Sequence, residues 1–279
     1  MKTIDLKDWT LFSARNTSDN YYDAEEKLML KVFKTGGDGL IPELQREQEI
    51  SRLVNDLGIR TPEVGDICRT TDGRLCVIYE NIKNKKSLSR AISEDLSLME
   101  PYMELLANTG KLIHSTKCTS DSIPSYKELF LNNLKDFPQI SEEKKEDIKS
   151  QLAAFPDDEN CLHGDFHPGN FIISKGVVYA IDLSGFTKGN FMYDIAQYNT
   201  LGRVFPSVAQ EDIFHVSGEI SHRCFDLFIK YYFGGDRPGE KELNDYGFIC
   251  MMNHKHMLPP HAFTEWLEGS GPYKYKAFE

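Results

Sequence analysis

The sequence predicts an α+β fold of two lobes, a small β-rich lobe over residues 1–82 and a larger, mainly helical lobe over residues 83–279. Two observations carry this prediction. Short runs of β-branched and aromatic residues, separated by turn-forming residues, occupy much of the chain before Glu80. After Ile82 the apolar residues recur mainly at helical spacing, so we place a hinge between the lobes there. The chain of 279 residues is long enough for two sizeable cores.

The first lobe contains a lysine on an apolar face. Residues 10–33 are typical of strands around the turn-rich segment 13–20, which contains no glycine. In the run Leu28–Phe33, strand alternation places Lys31 on the same face as two apolar neighbours. A lysine in that position needs a charge partner or a ligand, unless the strand is an exposed edge where a surface lysine is ordinary.

A helix predicted over residues 42–57 supplies a matching carboxylate. Glu47 falls on the apolar stripe of that helix, which predicts that its side chain points inward. We expect Lys31 to be its cation. Strands over 64–69 and 75–80 follow, joined by a turn at Asp72-Gly73.

Helical spacing dominates the second lobe. We expect one helix to end near His114, two more over 126–137 and 141–155, and further helices over 204–279. His114 is interpreted as a satisfied helix-end or core histidine. The last region carries an aromatic cluster that we predict to be core: Phe225, Phe228, Tyr231, Tyr232 and Phe233.

The chain is organised around a polar loop and a hairpin between Cys161 and Leu183. Asp165 and Asn170 flank a tight loop as D-x-x-x-x-N, and a hairpin with a turn at Lys175-Gly176 can bring Asp182 back near Asn170. This set suits metal-assisted phosphoryl transfer, with Asp165 accepting a hydroxyl proton and the other two giving oxygen ligands to Mg²⁺. Taken singly, each of these residues is equally an ordinary turn former.

The whole string resembles a known signature. His163-Gly164-Asp165-Phe166-His167-Pro168-Gly169-Asn170, followed by Ile181-Asp182, is similar to the motif of the aminoglycoside phosphotransferase family, whose kinase-like relatives include choline and homoserine kinases. The resemblance implies a protein-kinase-like fold and transfer of the γ-phosphoryl group of ATP or GTP to a hydroxyl of a small molecule. An aminoglycoside antibiotic is one candidate acceptor, because the motif is specific for the superfamily and poorly specific for substrate.

In the second lobe and the hairpin, the resemblance implies three roles. Asp165 is the expected catalytic residue, and Asn170 and Asp182 are the expected Mg²⁺ ligands. Asp194, in the stretch after the hairpin, is our candidate for a buttress of the catalytic loop.

In the first lobe, the resemblance implies the nucleotide contacts. Lys31, oriented by Glu47, is expected to bind the α- and β-phosphates, and backbone groups near Glu80 and Ile82 are expected to read the purine edge. The glycine-free segment 13–20 departs from the family pattern, because its backbone approaches phosphate less freely than a glycine-rich loop does.

Composition restricts the partners. The formal net charge of −11 argues against nucleic acid and suits a cationic acceptor such as an aminoglycoside or choline, although solubility alone explains many acidic chains. We find no apolar run of membrane-spanning length and no signal-peptide pattern, so we expect a cytoplasmic protein with no membrane partner. Six cysteines without a C-x-x-C pair are expected to be reduced.

Four alternatives remain open. The acceptor can be a metabolite such as choline, an amino alcohol or a sugar. A protein kinase is less consistent, since D-F-G and A-P-E strings are missing. A nucleotide-binding pseudokinase is supported only by the glycine-free segment. A metallohydrolase is suggested by the pattern His163-x-Asp165-x-His167, which leaves the hairpin and Lys31 unexplained.

Overall fold

The computed structural model describes residues 1–14, 17–135, 137–138, 140–205 and 207–253. It divides into two compact units. The first comprises Met1–Lys86 and Ile172–Ser184, and the second comprises Ser87–Phe171 and the chain from Gly185 onward. The first unit thus extends four residues beyond our predicted boundary at residue 82 and includes most of the later hairpin. The assignment of the predicted lobes to nucleotide and to acceptor stays a prediction.

Six strands of the first unit form one sheet in the order β1-β5-β6-β4-β3-β2. Neighbouring strands are antiparallel except for the parallel pair β1 and β5. The strands are β1 Thr3–Ile4, β2 Trp9–Ala14, β3 Ser18–Asp23, β4 Leu28–Phe33, β5 Val64–Thr70 and β6 Leu75–Glu80. One helix, α1 Ile41–Asp56, packs on this sheet.

The two faces of β4 bury different clusters, as its alternation predicts. Leu30 and Val32 are fully buried in a cluster with residues of β1, β5 and β6. Met29 and Phe33 point to the opposite face and pack against the cluster that contains Leu44 of α1. Because Lys31 alternates with Leu30 and Val32, it lies on the helix-covered face.

The segment 13–20 is more regular than we predicted. Strand β2 continues to Ala14 and β3 already begins at Ser18, so the turn-rich interpretation was wrong for most of this segment. The reason is tertiary, because Ser18, Asp19 and Asn20 pair with β4 at Phe33, Val32 and Lys31. Cross-strand pairing overrides the weak strand propensity of Ser, Asp and Asn.

The hairpin comprises β9 Phe171–Ser174 and β10 Val177–Ala180, with β7 Lys86–Ser87 beside β9. Its turn residues Lys175 and Gly176 both have positive φ, 49° and 78°. Two positive φ values are the requirement of the tight turn that matches strand twist, so the predicted two-residue turn is confirmed.

The second unit is mainly helical around a buried central helix, α6 Met192–Asn199, all of whose residues are buried. The other helices are α2 Leu88–Glu94, α3 Met99–Ser115, α4 Tyr126–Leu134, α5 Glu142–Ala153, α7 Ser207–Phe214, α8 Gly218–Phe233 and α9 Glu240–Asn253. Helix α3 packs on α8, and α6 packs on α9. Two short strands, β8 Cys161–Leu162 and β11 Thr187–Lys188, pair beside α3.

The aromatic cluster of α8 is only partly core. Phe225 and Phe228 are fully buried, as predicted. Tyr231, Tyr232 and Phe233 are half-buried, so our prediction of core was wrong for them. The Tyr231 hydroxyl donates to the exposed Glu100 over 2.7 Å, which draws this side chain toward solvent. The Tyr232 hydroxyl bonds the buried His114 ring over 2.8 Å. The predicted helical residues 254–279, with the acidic Glu265 and Glu268, lie outside the described residues.

All six cysteines are buried free thiols in the structure. Within the part of the chain that the structure describes, no helix is both long enough and apolar enough to span a membrane.

Candidate active site

Asp165 and Asn170 meet in the loop between β8 and β9. The Asn170 side-chain amide donates to the backbone carbonyl of Asp165 over 3.0 Å and to its Oδ2 over 2.9 Å. Asn170 is buried, whereas the Asp165 side chain is 29% exposed, so the carboxylate reaches solvent. The ring Nε2 of His167 lies 3.6 Å from the same Oδ2. The D-x-x-x-x-N spacing therefore produces a direct pair, as the sequence indicates.

Gly164 is required for the loop to pass close to another part of the backbone. Its φ of +79° lies in the left-handed region. A Cβ atom built on it would lie 1.8 Å from the carbonyl oxygen of Gly185. Any side chain at this position would have to displace backbone, so the glycine that precedes Asp165 is dictated by geometry.

Asp194 holds the same loop from α6, and its predicted buttress role is confirmed. Its carboxylate accepts hydrogen bonds from the backbone N–H groups of His163 over 2.7 Å and Gly164 over 2.9 Å. The ring Nε2 of His114 lies 3.0 Å from Asp194 Oδ2. Both side chains are almost fully buried, which confirms His114 as a satisfied core histidine. A buried carboxylate with three donors fixes the backbone immediately before Asp165.

Gln197 also contacts the loop, and our sequence reasoning did not identify it. Its side-chain Nε2 donates to Asp165 Oδ1 over 3.0 Å, and the residue is only 1% exposed. The available signal was its position three residues after Asp194 in an apolar helix, which puts both side chains on one face.

Lys31 and Glu47 lie on the same side of the sheet, but they do not form the expected ion pair. No ion pair within 4.0 Å involves Lys31 in the described residues, and its ammonium lies 5.2 Å from the centroid of the Phe33 ring. Glu47 instead accepts a hydrogen bond from the Tyr79 hydroxyl over 3.0 Å. Tyr79 is the partner that sequence reasoning missed, since it is 32 positions away.

Burial dominates the electrostatics of Glu47. Desolvation raises the pKa of its carboxyl group, while the Tyr79 hydrogen bond and the charge of Lys31 act in the opposite direction. The charges of Asp182 and Glu43 raise the pKa further. Glu47, Glu43 and Asp182 also line one open pocket, together with Arg46. The charges of Lys31 and Asp182 therefore both act on Glu47 within the first unit.

Asp182 follows the hairpin in a conformation that non-glycine residues seldom adopt. Its φ is 58°, and the side chain is exposed, with Ser184 Oγ donating to Oδ1 over 3.3 Å. Strained backbone at a polar, accessible residue is more frequent at functional sites than elsewhere.

The backbone at Glu80 and Ile82 is only partly available to a ligand. The Glu80 amide donates to the Glu63 carbonyl over 2.9 Å in continuation of the sheet. The predicted base contact at Glu80 is thereby limited to its carbonyl group. Ile82 is buried.

The oxygen atoms of Asn170 and Asp182 are ligands that suit a hard cation better than zinc. Asn170, in the second unit, uses its amide nitrogen for Asp165, which leaves its Oδ1 for a hard cation. Asp182, in the first unit, presents carboxylate oxygens of the same hard kind. The alternative ligand set His163-x-Asp165-x-His167 is not assembled. His163 is fully buried and its Nδ1 accepts from the Asp165 amide over 3.3 Å. The described residues contain no group of three His, Cys, Asp or Glu arranged to hold a metal ion.

Solved structures of kinase-like phosphotransferases are similar in fold to this chain. The amicoumacin kinase hAmiN in complex with AMP-PNP, Ca²⁺ and Ami is 16% identical, with a TM-score of 0.56 over 92% of this chain and 81% of that one. A thermostable mutant of aminoglycoside phosphotransferase APH(4)-Ia, in ternary complex with AMP-PNP and hygromycin B, is 14% identical, with a TM-score of 0.57 over 88% and 84%. A choline/ethanolamine kinase family protein from Mesorhizobium loti is 13% identical, with a TM-score of 0.55 over 92% and 84%. These similarities confirm the kinase-like α+β fold.

Sequence comparison identifies the family of this chain. No curated protein sequence matches the chain. The model of the phosphotransferase enzyme family, APH, matches residues 8–218, which is well over half of the chain and includes the loop, the hairpin and α6. The resemblance seen in the signature and the expected enzyme class, a phosphotransferase, are confirmed by this match. The chain belongs to the phosphotransferase enzyme family.

Proposed function

We propose that this enzyme transfers the γ-phosphoryl group of ATP or GTP to a hydroxyl group of a small molecule in a Mg²⁺-dependent reaction. The observation that carries the proposal is the accessible Asp165 carboxylate, held by Asn170 over 2.9 Å in a loop that α6 anchors. Fixed geometry of this kind is what phosphoryl transfer demands, because alignment and charge stabilisation supply most of the rate.

Asp165 is the proposed catalytic residue. Its carboxylate accepts the proton of the acceptor hydroxyl as that oxygen bonds to the γ-phosphorus. The bond from the γ-phosphorus to the β–γ bridging oxygen breaks, and ADP or GDP leaves with the electron pair of that bond. The proton later passes from Asp165 to solvent, which its 29% exposed side chain permits.

Asn170 and Asp182 are the proposed metal ligands, through Asn170 Oδ1 and the Asp182 carboxylate. A Mg²⁺ ion held by these residues would supply charge neutralisation for the phosphates of the donor. The hydrogen bond from Asn170 Nδ2 to Asp165 serves a second purpose, since it fixes which end of the carboxamide remains for the metal.

Lys31 is proposed to bind the α- and β-phosphates, with Glu47 limiting where its ammonium can lie. The Coulombic effect of Lys31 on Glu47 supports this assignment. Backbone groups at Glu80 and Ile82 are proposed to contact the purine. AMP-PNP in two similar kinases supports a nucleoside triphosphate donor.

An aminoglycoside is the acceptor that we propose to test first. Hygromycin B is bound by one structural neighbour, and the net charge of −11 favours a polycationic ligand. A metabolite such as choline, an amino alcohol or a sugar is the second candidate, supported by the choline/ethanolamine kinase family neighbour. We propose the cytoplasm as the location, where thiols stay reduced and nucleoside triphosphates are abundant.

The test measures ATP and GTP consumption, with and without Mg²⁺, against a panel of aminoglycosides, choline, amino alcohols and sugars. Asp165→Asn keeps the shape of the side chain and removes its basicity. Asp226→Asn, at an exposed carboxylate of α8 that pairs with Arg237, is the matched control. We expect acceptor-dependent turnover in the wild type and the control, with a loss of about 10²- to 10⁴-fold in Asp165→Asn.

Two results would contradict the proposal. Full turnover in Asp165→Asn means that another group accepts the proton. Nucleotide binding without turnover across the whole panel favours the pseudokinase alternative.

A further inference from the structure

Helix α6 contacts the loop of Asp165 at two points that lie one turn apart. Asp194 accepts from the loop backbone, at His163 and Gly164. Gln197, three residues later, donates from Nε2 to Asp165 Oδ1 over 3.0 Å. Because residues three apart share a helix face, one rigid helix fixes both the backbone and the side chain of the loop.

Gln197 completes the set of donors around the carboxylate. Asn170 donates to Oδ2 over 2.9 Å, and Gln197 donates to Oδ1 over 3.0 Å. With a donor on each oxygen, rotation of the carboxylate about its Cβ–Cγ bond breaks at least one hydrogen bond. Each oxygen of a carboxylate accepts two hydrogen bonds, so both donors leave capacity for an acceptor hydroxyl.

The buried position of Gln197 restricts where its side-chain amide can point. The residue is 1% exposed on a helix whose members are all buried, so packing restricts the side chain. Asn170, in contrast, belongs to the loop itself and moves with Asp165. Gln197 is therefore the donor that fixes the position of the Asp165 carboxylate relative to the buried helix α6.

We infer that Gln197 is a positioning residue that sets the orientation of the Asp165 carboxylate for phosphoryl transfer. The inference rests on the proposed function of Asp165 and adds a residue to it. A displacement of about 1 Å at a reacting group costs on the order of 10²-fold in rate, so loss of this donor should reduce kcat. Binding of nucleotide and acceptor should be unaffected, because Gln197 acts on them only through Asp165.

Gln210 offers a matched control on α7 in the same unit. It is also 1% exposed, and its Nε2 donates over 2.8 Å to the backbone carbonyl of Phe205. Substitution by methionine therefore removes a buried side-chain amide donor in each variant. Only Gln197→Met alters the hydrogen bonds of Asp165.

The experiment compares wild type, Gln197→Met and Gln210→Met in the full chain. It measures kcat and both KM values with Mg·ATP and the panel acceptor that the wild type uses, the Kd of Mg·AMP-PNP by calorimetry, and a crystal structure of each variant. We expect kcat to fall about 10- to 100-fold in Gln197→Met alone, with KM and Kd within about twofold of wild type. The crystal structure should show the Asp165 carboxylate rotated in that variant only.

The outcomes separate this inference from the proposed function. Equal kcat in the two variants, or an unrotated Asp165 in Gln197→Met, overturns the positioning role. If the wild type uses no acceptor, the proposed function fails, and the crystal structure alone decides on Gln197. Should Gln197→Met not fold, Gln197→Asn withdraws the amide by one methylene, and Gln210→Asn is then the control.

Discussion

Asp194→Asn tests how strongly the loop of Asp165 depends on α6. The carboxylate accepts three hydrogen bonds, with Oδ2 shared by the His163 amide and the His114 ring and Oδ1 used by the Gly164 amide. An amide of the same shape places an N–H₂ group where one oxygen stood. Wherever that group points, at least one donor faces another donor, at a site that is 1% exposed.

The magnitude follows from the number of bonds lost. A hydrogen bond to a charged group contributes about 1.5–3 kcal/mol, and an unsatisfied buried donor costs about 1–3 kcal/mol. We therefore expect Asp194→Asn to lower the free energy of unfolding by about 2–4 kcal/mol, which is a substantial part of the roughly 5–15 kcal/mol typical of a folded protein. Turnover should fall as well, because the backbone before Asp165 loses an anchor.

The assay is urea unfolding followed by far-UV circular dichroism, with nucleotide turnover measured in parallel. Asp158→Asn is the matched control, since this half-buried carboxylate in the same unit accepts one hydrogen bond, from Asn190 over 3.0 Å. We expect the control to cost less than about 1 kcal/mol. The reasoning is refuted if Asp194→Asn is no more destabilising than Asp158→Asn.

Two further predictions concern single contacts. Gly164→Ala should abolish turnover and strongly destabilise the fold, because its Cβ atom would lie 1.8 Å from the Gly185 carbonyl oxygen. Measurements of thermal unfolding and turnover test this expectation. Gly176→Ala in the hairpin turn is the control. Tyr79→Phe removes the hydroxyl 3.0 Å from Glu47, so it should cost about 1–2 kcal/mol at pH 7 and raise the pKa of Glu47 further. Below the ordinary pKa of 4.5 the Glu47 carboxyl is mostly protonated in both the folded and the unfolded chain, so a raised pKa in the folded state costs little there. Above that pKa the unfolded chain ionises first, which favours unfolding. Urea unfolding should therefore show a smaller cost of Tyr79→Phe at pH 4 than at pH 7. Tyr231→Phe removes a hydroxyl that bonds the exposed, solvent-screened Glu100, so it should show a smaller loss at pH 7 and a smaller difference between the two pH values. An equal loss in both variants at both pH values would contradict the account.

Features set by neighbouring residues were predictable. The hairpin turn at Lys175-Gly176 and the pairing of Asp165 with Asn170 depend on spacing of a few residues and on glycine. Helix α1 begins and ends one residue before its predicted bounds, since Pro42 and Gly58 mark its two ends. The Asp194 buttress was predictable only through the resemblance, because 30 residues separate it from Gly164.

Features set by long-range packing were not predictable. Apolar alternation places Lys31 and Glu47 on the same side of the sheet, but it does not reveal that Tyr79 on β6 lies closer to Glu47 than the lysine does. Gln197 is one more polar residue in a helix until the loop folds onto it. The segment 13–20 has loop-like composition, and its pairing between β2 and β3 and with β4 makes much of it strand. In each case the deciding partner lies on another element of secondary structure.

The most direct test of the central claim is the mass of the acceptor after incubation with Mg·ATP. A panel acceptor incubated with the wild type should gain the mass of one phosphoryl group, in step with the ADP formed, and should remain unchanged with Asp165→Asn. A panel acceptor that gains the phosphoryl mass equally with Asp165→Asn would show that Asp165 is not the catalytic residue. ADP formed in the presence of every acceptor, with none of them changed in mass, would show that the enzyme does not phosphorylate these small-molecule hydroxyls.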